Sequence, residues 1–277
     1  MKIVLGTVQF GLHYGINSTK QPSENEVGAI LRSAHNENIT LLDTSAAYGN
    51  SESILGMQMQ KIGLDFKIIS KYPKTLKGLN ETLEDSLSKL KVKSVYGYLL
   101  HHFEVYKENS AIWEEFEVAK NLGKVEKIGF SLYDVSELEI LLANNVNFDI
   151  VQIPFNIFNR DFEPYFADLK SRGVEIHARS TFLQGLFFMD TENLPKNLIP
   201  LKPYLDQLNQ FSRNERLTLS QIALNFNLQN PYIDGVLIGV DDEQQLKDNI
   251  AAISDVKIMF DINILEKELL NPSNWNV

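Results

Sequence analysis

Cysteine is absent from the sequence, which excludes disulfide staples, thiolate nucleophiles and thiolate metal sites. Histidine is scarce: the five present form no HExxH pair. His101 and His102 are adjacent, and neighbours on a strand face opposite ways, so no metal site is expected. No apolar run reaches the roughly 18 residues needed to span a bilayer. The first residues, MKIVLGTVQFGLHYG, also lack a long apolar core with a small-residue cleavage site. These absences imply a cytoplasmic protein with no membrane partner. Basic residues are outnumbered, 26 Lys and Arg against 36 Asp and Glu, and are scattered rather than clustered. The resulting charge of -10 repels a phosphate backbone, so no nucleic-acid partner is expected. Acceptor patterns for N-glycosylation at Asn17, Asn38 and Asn80 carry little weight without secretion. GxSxG, GxxxxGK[ST] and GxGxxG are missing too, so no common acyl-transfer, phosphate-loop or dinucleotide-turn signature competes.

What the chain does contain is one pair of elements, repeated. Short apolar, often β-branched runs predict strands at 3–8, 40–43, 66–70, 95–100, 125–131, 148–153, 174–178 and 235–238. Continuous apolar runs of this length fit strands buried on both faces. Between them lie stripes at helical spacing, such as Leu79, Leu83, Leu87 and Leu90, or Leu219, Ile222, Ala223 and Phe226. Ser23, Ser51 and Thr218 or Ser220 stand where helix N-caps belong, and Gly63, Gly123 and Gly173 where helices stop. Eight such strands without a linker predict a (β/α)8 TIM barrel, class α/β, as a single domain over 1–277. The long stretch 181–217 predicts a loop with an extra helix near the mouth, and 262–270 a terminal helix.

In a barrel the carboxyl ends of the strands carry the chemistry. Polar residues end several apolar runs: Asp43, Lys71, His101, Ser131 and Gln152, with Arg179 just beyond, in the following loop. A carboxylate and an ammonium in a low-dielectric mouth require each other, so Asp43 and Lys71 are expected to pair. A purely structural salt bridge would look the same. Tyr48 tips the balance, because a phenol beside a lysine has its ionised form favoured and can exchange a proton with an alkoxide. His101 is placed to orient a carbonyl. The group fits reversible carbonyl reduction with nicotinamide hydride, or enolisation and aldol chemistry with Lys71 as base or Schiff-base former.

The segments LGTVQFGLHYG, LLDTSAAYGNSESILG, IISKY, YLLHH, KIGFSLYD, VQIPFNIFNR, ARSTFLQGLF and LIGVDDEQQLKDN resemble, in order, the aldo-keto reductase family over nearly the whole chain. The resemblance implies an NADPH- or NADH-dependent reductase acting on a small carbonyl compound. It gives Tyr48 the role of general acid, Lys71 that of lowering its pKa, Asp43 that of holding Lys71, and His101 that of aligning the carbonyl. It sets Ser131 and Gln152 at the nicotinamide carboxamide, with Leu132 where the family usually has Asn. Arg179, Ser180, Phe182, Leu183 and Gly185 then run along the pyrophosphate, and Gly239, Gln245 and Asn249 meet the adenosine end. Asp241 and Asp242 stand where family members that prefer NADPH often carry Arg or Lys, which argues against strong NADPH selectivity.

The start VQFGLHYG resembles a branch of small bacterial reductases associated with polysaccharide or sugar-modification gene clusters, which implies a sugar-like substrate. Strand 1 comes too early for the N-terminal hairpin common in the family, and a monomer or small homo-oligomer is expected. Phe10, Leu12, His13, Tyr14, Phe103, Tyr106, Phe155, Phe158 and Phe182 are the expected walls of the substrate pocket. A nucleotide-binding regulatory protein with weak turnover and a Lys71 Schiff-base aldolase are the alternatives.

Overall fold

A computed structural model describes residues 1–16, 20–262 and 264–275, so the acceptor pattern at Asn17 falls outside the described residues. Eight parallel strands close into a barrel in sequence order. They are β1 (Ile3–Gly6), β2 (Leu41–Asp43), β3 (Lys67–Tyr72), β4 (Val95–Leu100), β5 (Val125–Ser131), β6 (Ile150–Pro154), β7 (Glu175–Arg179) and β8 (Gly235–Gly239). Each lies where the apolar runs put it, with ends that move by two residues or fewer. Two of those movements matter for the site. β3 continues through Lys71 and β7 includes Arg179, so both side chains are held by strands rather than by the loops beyond them.

The first helix is the short α1 (Val8–Gly11), which takes over residues expected to extend β1. Around the barrel follow α2 (Glu24–Asn36), α3 (Ser51–Ile62), α4 (Leu79–Leu90), α5 (Phe103–Glu108), α6 (Ile112–Asn121), α7 (Val135–Ala143) and α8 (Phe166–Ser171). The circuit ends with α9 (Lys202–Glu215), α10 (Leu219–Leu228) and α11 (Glu243–Ala251). Ser23 and Thr218 form capping boxes with Glu26 and Gln221, which satisfy backbone donors that a helix start leaves open. Ser51 does not cap α3. Asn50 holds the cap position, and the Ser51 hydroxyl instead donates to the Thr7 carbonyl at 2.8 Å. α9 is the extra helix expected after β7, reached through 3-10 turns at Leu183–Phe188 and Lys196–Leu201.

No α-helix forms at 262–270 among its described residues; 3-10 turns at Lys267–Leu270 and Pro272–Asn274 stand there instead. Ile264, Leu270 and Trp275 are each buried here. They enter one by one a cluster with Leu183, Leu198 and Leu205, and the Trp275 indole donates to the Leu269 carbonyl at 2.8 Å.

The main core lies between barrel and helices, with Leu31, Leu83, Phe116, Leu138 and Phe166 under the strands' outer faces. Inside the barrel Ile69, Leu99 and Ile150 form a separate small layer, against which Leu41 and Tyr96 pack. At the strands' amino ends the interior is closed by charge: the Tyr96 hydroxyl donates to Glu175 at 2.8 Å, Lys127 pairs with the same carboxylate, and Lys67 stands 4.5 Å above the Tyr96 ring. Among the described residues no helix is long and apolar enough to cross a membrane.

Candidate active site

The parity of the strands builds the site. Side chains two residues apart share a face, so the strands that supply Leu41, Ile69, Leu99 and Ile150 to the inner layer place Asp43, Lys71, His101 and Gln152 directly above it. All four of these polar residues are buried, and Lys71 has no exposed surface at all. Burial at this depth demands partners. The Lys71 ammonium donates to Asp43 Oδ1 at 2.5 Å, to the Thr44 carbonyl at 2.9 Å and to the Tyr48 hydroxyl at 3.5 Å. Gln152 Nε2 donates to the other Asp43 oxygen at 2.7 Å. The result is a continuous chain from Gln152 through Asp43 and Lys71 to Tyr48.

Tyr48 arrives on the loop after β2, and that loop is fixed from below. Thr7 Oγ1 donates to the Asp43 carbonyl at 3.0 Å, while Ser51 Oγ lies 3.0 Å from Thr7 Oγ1 and 3.1 Å from Thr44 Oγ1. Gly11 makes the approach possible, because a Cβ there would lie 1.9 Å from the Tyr48 carbonyl oxygen. The Tyr48 and His101 rings meet edge to face at 5.6 Å, and Ser45 Oγ lies 3.1 Å from His101 Nδ1.

Electrostatics differ from the sequence expectation in one respect. Lys71 was expected to lower the Tyr48 pKa; instead, burial of the phenol pushes it well above its ordinary value, and the Asp43 carboxylate adds to the rise. The lysine's charge is taken up by Asp43, the closer partner. For His101, burial is the first cause and the Lys71 charge the second, and together they lower its pKa to about 2, so the imidazole is neutral.

These groups open into a cleft of about 440 Å³, a size ordinary for a small-molecule site. The cleft runs from Tyr48 and His101 past Ser131, Gln152, Arg179, Ser180, Phe182 and Gly185 to Gly239, Gln245 and Asn249. Lys71 stands behind Tyr48 and does not line it. Leu183 does not line it either: left-handed at φ 47°, it is fully buried in the cluster with Leu198 and Leu205, because the turn directs its apolar side chain inward. Of the two carboxylates only Asp241 lines the cleft. Asp242 caps α11 by accepting from Gln245 N–H at 2.8 Å, and Gln245 Oε1 accepts in return from Asp241 N–H at 2.9 Å. Lys247, on the same helix, is tied to Glu243 at 2.7 Å.

Several expected walls belong to the core instead. Phe10, Phe103, Tyr106, Phe155 and Phe158 are buried away from the cleft, and its aromatic surfaces are Tyr14, Tyr48, Tyr133, Phe182 and Phe188. Tyr133 and Gln9 have no place in the sequence reading. Gln9 lines the cleft with a buried Oε1 that has no hydrogen-bond partner, beside Gly239, where a Cβ would meet Gln9 Nε2 at 2.3 Å. The signal for Gln9 was its place in LGTVQFG, directly after β1; Tyr133 follows β5 in the same way. An orphaned amide oxygen at Gln9, set against Gly239 where no side chain intervenes, suits a polar cofactor laid along this cleft.

Residues 2–266 of this barrel match the model of the Aldo/keto reductase family, and the chain belongs to that family. It is therefore an NAD(P)H-dependent reductase of small carbonyl compounds. Its relatives are distant. It is 22% identical over 258 residues to the L-galactose dehydrogenase of Arabidopsis thaliana, covering 85% of this chain and 80% of that one. It is 22% identical over 263 residues to the NADH-specific methylglyoxal reductase of Escherichia coli, covering 80% of each. A solved aldo-keto reductase from Bacillus halodurans, in its holo form, superposes with a TM-score of 0.73 at 19% identity, over 97% of this chain and 90% of that one.

Proposed function

We propose that this chain reversibly reduces a polar, sugar-like aldehyde or ketone to its alcohol, with Tyr48 as the general acid. The observation that carries the reading is the hydrogen-bonded chain Gln152–Asp43–Lys71–Tyr48, which ends on a phenol at the cleft wall beside a neutral histidine. The nicotinamide, when bound, supplies the hydride. Every other part belongs to the protein. Burial keeps the Tyr48 phenol protonated at neutral pH, so it meets the carbonyl oxygen as a donor. As that proton leaves, the Lys71 ammonium at 3.5 Å faces the forming phenolate, and Asp43 keeps the ammonium from turning away. With the Ser45 hydroxyl at His101 Nδ1, Nε2 is the ring nitrogen left to orient the carbonyl. Hydride to carbon and proton to oxygen complete the alcohol.

Ser131, Gln152, Ser180, Phe182, Gly185, Gly239, Gln245 and Asn249, with Gln9 added, are the residues we assign to the cofactor. Asp241 lines the Gly239 end of the cleft and opposes a 2'-phosphate, and Lys20, a cation whose charge is felt by Asp241 and Asp242, is paired with Glu26 at 2.7 Å. NADH is accordingly used at least as readily as NADPH; an NADPH affinity more than about tenfold above that for NADH, roughly 1.4 kcal/mol, contradicts this. The relative named L-galactose dehydrogenase supports the sugar-like substrate. A Schiff base at Lys71 has little support, since the amine is fully buried and tied to Asp43 and Thr44.

The test is a carbonyl panel followed by nicotinamide absorbance with both cofactors. Tyr48→Phe is expected to lose about 10²- to 10⁴-fold in turnover with cofactor affinity retained. Near-normal turnover by that variant rejects the acid role. Cofactor binding without oxidation across the panel favours a regulatory protein instead.

A further inference from the structure

We propose that Arg179 reads a carboxylate carried by the carbonyl substrate, so that the chain reduces oxo acids or acidic sugars; the inference rests on the reductase reading above. Arg179 is the only lysine or arginine lining the cleft among the described residues. It also has no carboxylate partner there. Arg160 pairs with Asp261 and Arg172 with Asp168, while Arg32, Arg213 and Arg216 are exposed to water. The Arg179 guanidinium is half-buried, with Nη2 donating to the Leu132 carbonyl at 2.8 Å and Nη1 3.5 Å from Ser180 Oγ. Its Nε is buried and has no acceptor. A partly desolvated cation without a carboxylate partner calls for an anion, and a planar guanidinium fork matches a carboxylate.

The direction of the side chain indicates which anion. From the end of β7 it crosses β6 to the carbonyl after β5 and lies on the Tyr133 ring, 4.0 Å from its centroid. That path leads away from β8, where Gly239 and Asp241 line the other end of the cleft. It leads toward the phenol: the guanidinium charge is felt by Tyr48, Tyr14 and His101. Around Tyr48 the remaining charges cancel, since Lys71 is paired with Asp43 and His101 is neutral. One uncompensated positive charge therefore faces the reaction centre, held in place on the Tyr133 ring.

The experiment compares kcat/KM for succinic semialdehyde over butanal, and for D-galacturonate over D-galactose, in the wild type, Arg179→Gln and Arg179→Lys. The wild type is expected to prefer the acid in at least one pair. Arg179→Gln should cut that ratio tenfold or more, and Arg179→Lys should restore part of it. The pair that responds separates an oxo acid from an acidic sugar. A wild type without preference for either acid overturns the proposal, as does a ratio that Arg179→Gln leaves unchanged. An unchanged ratio with weaker binding of both NADH and NADPH would assign the guanidinium to the cofactor pyrophosphate. If no carbonyl is turned over, the reductase reading fails, and calorimetric titration of succinate decides the carboxylate site alone. Binding to Arg179→Gln at least tenfold weaker than to the wild type upholds it, and equal binding overturns it.

Discussion

Gly11→Ala probes how tightly the Tyr48 loop is seated. The added methyl would lie 1.9 Å from the Tyr48 carbonyl oxygen and 2.5 Å from the Ser51 nitrogen, where real contacts stop at 3.0 Å. The loop must therefore retreat by about 1 Å. Both obstructing atoms are backbone, and neither can rotate aside. Ser51 is also anchored through its hydroxyl to the Thr7 carbonyl, and on the far side Gly49, at φ 55°, already lies against the Gly11 carbonyl. Overpacking of this kind costs about 1–3 kcal/mol. A reacting group displaced by roughly 1 Å loses about 10²-fold in rate. The expected result is a turnover number about two orders of magnitude lower, a lower melting temperature, and cofactor affinity changed much less. Steady-state oxidation of the nicotinamide and a thermal melt measure these, with Gly78→Ala as the control, since a Cβ there meets nothing within 4 Å. Wild-type turnover and melting in Gly11→Ala would refute the view that α1 holds the acid in place.

Further expectations concern the buried charges and the rim. Lys71→Met leaves Asp43 charged and buried with only Gln152 as side-chain partner, which should cost about 3–5 kcal/mol in urea denaturation; Asp43→Asn in the same chain should return part of it, and a loss below about 1 kcal/mol would show that the pair is not isolated from water. His101, with a folded pKa of about 2 against 6.5 when free, is held neutral, so the unfolded chain binds the extra proton between those values. Its stabilisation is thus whole above pH 6.5 and declines as pH falls, by about 2–3 kcal/mol at pH 4.5. His101→Asn should remove that part of the acid sensitivity, and an equal wild-type-to-variant gap at pH 7.5 and pH 4.5 would show that the imidazole is not held neutral. Tyr14→Phe removes the acceptor for Gln184 Nε2 at 2.8 Å, a hydrogen bond that, with Ile16 N–H to the Gln184 carbonyl, ties the loops after β1 and β7. Faster hydrogen exchange at 183–185 is expected, and unchanged protection there would show that the side-chain tie is dispensable.

The barrel was legible because its strands are buried on both faces, and short continuous apolar runs survive whatever the loops do. The polar residues ending those runs were legible for the same reason: Asp43, His101, Ser131 and Gln152 stand out against the apolar residues before them. What escaped depends on how loops fold. Gln152 reads as a cofactor contact in sequence, yet its amide is also the outer clamp on Asp43, a bond spanning 109 residues. Asp242 with Gln245 three residues on is a capping pattern visible in the sequence, and it commits the Asp242 carboxylate and the Gln245 amide oxygen to the start of α11. Leu183 turns inward only because the backbone there is left-handed, and the aromatic residues expected at the mouth were drawn to the larger apolar surface between barrel and helices. The direction of the Tyr48 shift was not legible because it follows first from burial of the phenol, which the fold of the loop sets and the spacing of charged residues does not reveal.

The layer of Ile69, Leu99 and Ile150 has a consequence for proton traffic. On the strands that supply it, this layer separates the Asp43–Lys71 pair from the Tyr96–Glu175–Lys127 group at the strands' amino ends. On β7 the separation is bridged: buried His177 pairs in register with Gln152 above the layer and places Nε2 3.6 Å from Glu175 below it. In the acid role proposed above, Tyr48 therefore has the open mouth on one side and, beyond Gln152, an imidazole reaching the far charged group on the other.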